Sequence, residues 1–354
     1  MKPFPFGEVD VLVVGGGAAG LATGLTLGWL GISTLVVERR LDASTHPRAT
    51  ALTAATMELM RGWGIESEVR QSGFVTQPVL SLRPWLLGPE LDRIPMSEHV
   101  WTCAQDRLEP ILSERTQFAG APVVYGWEVT QVQADTDEVR ATVMEQITGI
   151  SREVRARFLV GADGASGLIR SQVGIRLSRF RSHGDWMSIL FRSPLRTYTG
   201  EPPCLVYGIT NTDPFGVIVP TDATDRWIRG LPWHPEDGER HDDYDVASCI
   251  TLIRSAVGIP TLPVAILGVQ RFRMAAALAE RYRAGRVLLV GDAAHLFTPS
   301  TGMGLNVALQ DGVTAARCLA QAMRDDGALD ALETYEIERR PVAERLLASE
   351  LATP

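Results

Sequence analysis

Residues 9–38 read VDVLVVGGGAAGLATGLTLGWLGISTLVVE, and this stretch limits the possible folds more than any other. It opens on Val9-Asp10-Val11-Leu12-Val13-Val14, an apolar β-branched run with the composition of a strand buried on both faces. Gly15-Gly16-Gly17-Ala18-Ala19-Gly20 follows and fits G-x-G-x-x-G at Gly15, Gly17 and Gly20. An apolar segment of helix length then leads to Thr34-Leu35-Val36-Val37, closed by Glu38. In a dinucleotide-binding turn the first glycine permits the tight bend and the second lets backbone approach a pyrophosphate. The third lets helix pack close to strand, while the helix N-terminus offers N–H groups and a positive dipole end. Glu38 stands where a carboxylate at the tip of the second strand accepts from ribose hydroxyls.

The rival reading is a membrane span, because no residue from Val11 to Val37 is charged. Seven glycines interrupt that stretch, with turn chemistry at its centre. Gly20, Gly24 and Gly28 recur every four residues, a flat face that suits a transmembrane dimer or a helix lying close on a sheet. The strand–turn–helix–strand order with its acidic end favours the sheet.

At 354 residues, two domains are expected. With 45% hydrophobic and 21% charged residues the composition is that of an ordinary globular protein, and a net charge of -8 argues against nucleic acid as partner. Cys103, Cys204, Cys249 and Cys318 are scattered, with no C-x-x-C pair and no nearby histidine spacing, so reduced or buried thiols are expected and no metal site. The N-terminus lacks the basic and uninterrupted apolar regions of a signal peptide, and a cytoplasmic, membrane-free protein is expected.

Two further strands empty into loops carrying Gly and Asp. Extended runs with period-two alternation between residues 123 and 159 suggest an antiparallel meander. The last of them ends in Gly161-Ala162-Asp163-Gly164, with Ser166 expected to cap a short helix containing Arg170. Arg286-Val287-Leu288-Leu289-Val290 ends in Gly291-Asp292-Ala293-Ala294-His295, then a loop with Pro299, Gly302 and Gly304 before helical pattern from Leu305 to Met323. Ligands of open α/β sheets bind outside the carboxyl ends of the strands, so the three loops can meet there on an extended cofactor. Helices are also expected over residues 50–63 and 245–257, an extended run over 100–104, and an amphipathic helix over 328–351 with Glu and Arg on its polar face.

With these three motifs in this order, the chain resembles the class A flavoprotein monooxygenases typified by p-hydroxybenzoate hydroxylase. The resemblance implies an α/β fold, with a Rossmann-like FAD-binding domain over residues 1–72, 98–178 and 271–354. A sheet-based substrate domain is expected over 73–97 and 179–270. It also implies FAD along Gly15, Gly17, Ala18, Gly20, Glu38, Asp163 and Asp292, with Arg48 and Gln105 in contact and Pro299, Gly302, Gly304, Leu305 and Asn306 near the isoalloxazine. Arg39 and Val129 are set with the cofactor residues, whereas Arg40 gains nothing from the resemblance and His295 reads as structural. Thr301 and Met303 stand where many relatives carry glycine and glutamine, and a third, thioredoxin-like domain of the longer polyketide hydroxylases is expected to be absent.

The implied reaction is monooxygenation. NAD(P)H reduces the flavin, O2 adds at C4a, and the hydroperoxide delivers one oxygen atom to an aromatic or polyketide-like small molecule. An ionisable phenol needs no protein base, and no catalytic residue is assigned. Trp186, Phe191, Tyr207, Phe215 and Trp227 are the expected pocket aromatics in a monomer or homodimer. The alternatives are an FAD-containing non-redox cyclase of natural-product biosynthesis, or another flavin oxidoreductase performing epoxidation, Baeyer–Villiger insertion or reduction.

Overall fold

A computed structural model describes residues 7–96, 101–212, 215–324 and 329–352. Val100 and Ala328, which open two of the segments expected above, lie outside these. The chain divides into two units: Met1–Ser44, Glu109–Arg181 and Ala276–Pro354 form the first, Thr45–Leu108 and Ser182–Ala275 the second. By contact, residues 45–72 and 101–108 thus group with the second unit.

The first unit is built on a sheet in the order Arg283–Ala284, Val287–Leu289, Ser151–Gly161, Glu8–Val14, Thr34–Glu38, Val123–Tyr125. The last five strands of this order run parallel, with Val13 level with Val160 on one side and Val36 on the other, and Val160 level with Leu288. Val11, Leu12, Val13, Leu159, Val160, Leu288 and Leu289 are wholly buried, which is why these strands read as continuous apolar runs. The expected meander is present: Trp127–Ala134 pairs antiparallel with Val139–Glu145, and that strand with Ser151–Gly161. Ser151–Gly161 then turns parallel beside the first strand, which period-two alternation could not reveal.

The first helix, Ala18–Trp29, packs against Gly304–Arg324 at very short range. A Cβ at Gly312 would meet Ala19 O at 2.5 Å and Thr23 N at 2.9 Å. The glycine ladder of the first helix faces protein: a Cβ at Gly24 would lie 2.6 Å from Val36 Cγ2, and one at Gly28 2.7 Å from Ala119 O. Among the described residues no helix is long and apolar enough to cross a membrane.

The second unit carries a sheet in the order Leu177–Arg192, Arg226–Trp233, Gly216–Pro220, Cys204–Ile209, Gln77–Arg83, Asp92–Pro95, with Ala265–Ala279 beside the first of these. The unit boundary falls inside the two longest strands, Leu177–Arg192 and Ala265–Ala279. Met187, Ile189 and Phe191 alternate onto one face with Tyr207, Ile209, Ile218, Trp227 and Leu231. Cys249, Ile253, Ala256 and Val257 of helix Val246–Val257 close this core, and Asp245 caps the helix by accepting from Ser248 N at 2.7 Å. All four cysteines are buried free thiols.

Two expectations change. The short helix Leu168–Gln172 starts from Gly167, not Ser166, and Asp163 Oδ2 accepts the Ile169 amide at 3.0 Å. A carboxylate six residues upstream therefore does the capping, and the exposed Ser166 does not. The last helix, Asp330–Ala352, puts Arg339 on its buried side with Leu332, Tyr335, Ala343 and Leu347, because a buried acid meets it there.

Candidate cofactor site

The three loops leave the carboxyl ends of three neighbouring parallel strands and are tied to one another. Ala162 N donates to Val14 O at 2.8 Å, Val290 N to Gly161 O at 3.0 Å, and Gly15 N to Val37 O at 2.8 Å. Arg170 Nη1 donates to Ala293 O at 3.0 Å, so the second and third loops share a guanidinium.

The glycines of the first turn serve different ends. Gly15 has φ of +114°, and a Cβ on it would lie 2.2 Å from Ala162 O. At Gly20 a Cβ would lie 1.9 Å from Gly15 O. Gly17 is extended, and the nearest atom to its Cβ position is Glu109 Oε1 at 3.8 Å. The first and third glycines are needed by the protein's own packing, and the second leaves open ground at the helix N-terminus. The helix begins with no side-chain cap and no acid in its own first turn, as suits a helix start that meets an anion.

Glu38 is buried at the tip of the second strand. Its Oε2 accepts Gly16 N at 2.6 Å, and its Oε1 accepts Arg40 N at 2.9 Å and Arg40 Nε at 3.0 Å. Burial opposes its charge, but the Arg40 hydrogen bonds and cation, with the Gly16 amide, outweigh that and hold the carboxyl below its usual range. A carboxylate has about four acceptor sites, which leaves Glu38 one for a hydroxyl beyond its three hydrogen bonds. Arg40 also lies 3.7 Å from the buried Glu109. Arg39, by contrast, is exposed and reaches only Glu128 at 3.9 Å. Sequence reasoning passed over Arg40 and Glu109. Arg40 follows the strand-end acid by two residues, but Glu109 arrives from a distant helix and carried no signal.

Asp163 is pushed above the usual carboxyl range by burial, partly offset by the Ile169 amide, and its Oδ1 is buried with no hydrogen-bond partner among the described residues. Asp292 sits exposed in the turn Gly291–Ala293. Beyond it, the turn Pro299–Thr301 and Gly302 (φ +62°) lead into helix Gly304–Arg324. Thr301 Oγ1 accepts Met303 N at 3.3 Å, and Asn306 Nδ2 donates to Gly302 O at 3.2 Å. Ala18, Leu305 and Asn306 are buried, so backbone rather than side chain is what they can offer a ligand.

Val129 is a buried strand residue opposite Val143. Arg48 and Gln105 belong to the second unit, where Gln105 N donates to Ala49 O at 2.8 Å, so that the two lie on adjoining segments. In the same unit His46 Nε2 lies 2.8 Å from Ser188 Oγ, and Asp106 accepts from Arg226 at 2.6 Å with both side chains 6% exposed. Of the five aromatics, Phe191, Tyr207 and Trp227 are closed into the second unit's core. The Tyr207 hydroxyl accepts Cys204 N, and Trp227 Nε1 donates to Ser193 O. Trp186 is half-buried against Phe272 at 6.4 Å between ring centroids, and Phe215 is 45% exposed.

Parallel strands, a glycine turn open at a helix N-terminus and an acid at the neighbouring strand tip define a Rossmann-like dinucleotide-binding fold. Comparison with known proteins agrees. Residues 8–350 match the family model described as FAD binding domain. A putative polyketide hydroxylase of Streptomyces coelicolor is 36% identical over 352 residues, covering 95% of this chain and 56% of its own length. Aklavinone 12-hydroxylase DnrF of Streptomyces peucetius is 35% identical over 365 residues, covering 98% and 74%. Among solved structures, the flavin-dependent monooxygenase PieE in complex with FAD and substrate superposes with a TM-score of 0.90 at 29% identity, covering 96% of this chain and 62% of that one. Aklavinone-11 hydroxylase with FAD and aklavinone gives 0.86 at 32%, covering 98% and 68%. The chain belongs to the FAD-binding family of class A flavoprotein monooxygenases. It spans just over half the length of the Streptomyces coelicolor relative.

Proposed function

We propose that the protein is an FAD-dependent monooxygenase that uses NAD(P)H and O2 to insert one oxygen atom into an aromatic or polyketide-like small molecule. The observation that carries the reading is the convergence of the Gly15–Gly20 turn and two Gly- and Asp-bearing loops on the carboxyl ends of three adjacent parallel strands. A nicotinamide dehydrogenase needs only the first of them. The residues present suit the adenosine end of FAD. Gly17 leaves room beside an uncapped helix N-terminus for a pyrophosphate, and Glu38 keeps an acceptor site for a ribose hydroxyl. The partnerless Asp163 Oδ1 offers another acceptor.

Bound FAD would supply the redox chemistry with oxygen. The chain's own part is to bind, orient and exclude water. Gly15, Gly17, Ala18 and Gly20 would hold the pyrophosphate through backbone, with Glu38 on the ribose and Arg40 keeping Glu38 ionised. Asp163 and Asp292 would serve the middle of the cofactor, with Arg39, Arg48, Gln105 and Val129 alongside. The turn through Pro299, Gly302 and Gly304 to Leu305 and Asn306 would present N–H groups to the isoalloxazine. Trp186 and Phe215 are the pocket aromatics still open to a ligand, since Phe191, Tyr207 and Trp227 are committed to core packing. The relatives named for aklavinone and tetracenomycin chemistry favour a polycyclic substrate. A cytoplasmic monomer or homodimer goes with this reading.

The test is reconstitution with FAD, then NAD(P)H oxidation under 18O2 with candidate phenols and polycyclic quinones. One labelled oxygen per product is expected. A protein that binds no FAD on reconstitution overturns the proposal, and unlabelled product from a flavin that NAD(P)H reduces would make it a reductase.

A further inference from the structure

Under the third loop lies a buried polar cluster with no part in the scheme above. Asp311, wholly buried in helix Gly304–Arg324, accepts Gly291 N at 3.2 Å and His295 Nε2 at 2.6 Å on Oδ2, and Arg339 Nε at 2.7 Å on Oδ1. Arg339 Nη2 also reaches Val307 O at 3.5 Å. His295 is wholly buried between Tyr282 and Phe297, at 6.0 and 4.8 Å between ring centroids, and its Nδ1 has no hydrogen-bond partner among the described residues. That arrangement locates one ring proton. An ionised carboxylate can only accept, so the ring nitrogen facing Asp311, Nε2, carries a proton. His295 therefore donates to Asp311 through Nε2, and the Arg339 guanidinium meets the same carboxylate.

Both ends of this cluster grip backbone next to the residues assigned to the flavin. Gly291 N is the amide immediately before Asp292, and Val307 O lies in the first turn of the helix that begins with Gly304, Leu305 and Asn306. We propose that His295, Asp311 and Arg339 are positioning residues that hold the Gly291–Asp292 turn and the Gly304 helix start in the geometry that binds FAD. The inference rests on the FAD reading. A buried carboxylate with three fixed donors has one orientation, so the loop it anchors is set before the cofactor arrives.

Apoprotein is titrated with FAD by flavin fluorescence quenching, at a temperature where the circular dichroism of each variant matches wild type. Asp311→Asn turns an amide N–H toward donors, and FAD should bind more than tenfold more weakly. His295→Leu should weaken it similarly, and His295→Gln, whose amide can still donate to Asp311, should recover to within about threefold of wild type. If Asp311→Asn does not fold, the His295 pair decides alone. Asp245→Ala removes the capping hydrogen bond of helix Val246–Val257 in the second unit. It reports what generic loosening does, and little change in FAD affinity is expected. Wild-type affinity in both His295→Leu and Asp311→Asn, or an equal loss in Asp245→Ala, overturns the positioning role. Wild-type protein that binds no FAD instead removes the cofactor reading beneath it.

Discussion

At the scale of single residues, the three glycines of the first turn are not equivalent, and the difference is measurable. A methyl group on Gly20 would fall 1.9 Å from the Gly15 carbonyl oxygen, which is backbone and cannot swing aside. Gly20→Ala should cost at least about 3 kcal/mol of apoprotein stability in urea unfolding. Gly17→Ala meets nothing closer than 3.8 Å and keeps an extended backbone that any residue adopts. Its apoprotein should melt within about 2 °C of wild type, while FAD affinity falls tenfold or more, about 1.4 kcal/mol. Unchanged affinity in Gly17→Ala would place the phosphates elsewhere. The motif identified all three positions, but only the surroundings say which of them faces the protein and which faces the ligand.

At the scale of elements, the first helix is read differently from two sides. Its glycine ladder suited a membrane dimer or a sheet in sequence, and the structure sets it on Val36, Thr116 and Ala119. Its other neighbour, helix Gly304–Arg324, approaches through Gly312, a position with no distinguishing sequence signal. A Cβ there meets Ala19 O at 2.5 Å and Thr23 Oγ1 at 2.9 Å. Gly312→Ala gains about 1 kcal/mol of helix propensity yet should still destabilise by about 1–3 kcal/mol through overpacking, measured by denaturant unfolding. A stabilised variant would mean that the two helices can part freely. The last helix gives the complementary lesson. Its alternation of charged and apolar residues located it, but Arg339 belongs to the buried side. A charge goes inside when a buried acid is waiting, and that acid comes from another helix.

At the scale of the molecule, acid sensitivity has an identifiable source in the second unit. Burial first, then the Arg226 and Arg48 cations, push His46 down to about 4, against the opposing pull of Asp106. With a folded value below the ordinary 6.5, the unfolded chain takes up this proton first. The associated stability is fully present above pH 6.5 and is lost as pH falls from there toward 4. Urea midpoints measured between those limits should decline for wild type, and His46→Gln should remove part of the slope. Identical slopes in the two proteins would show that His46 is solvated in the fold.

How much was readable in advance follows from what each signal depends on. The strand–turn–helix–strand unit, the Gly–Asp loops, the second sheet and the buried thiols were all legible. They are set by local chemistry: β-branched runs, glycine turns and periodicity act within a few residues. Strand order was not, since Ser151–Gly161 pairs antiparallel on one side and parallel on the other with no change in its own residues. Nor were the partners of charged groups. Arg40 with Glu38 and Glu109, Asp163 capping Ile169, and Arg339 with Asp311 and His295 each join residues chosen by proximity in space. The same holds for Phe191, Tyr207 and Trp227, whose aromatic character predicted burial but not whether the buried surface would meet a ligand or another side chain. Sequence by itself determined which segments could form and which cofactor they suit. Tertiary structure alone decided which face each segment turns to its neighbours, because burial and charge pairing are properties of the packed chain and not of any stretch within it.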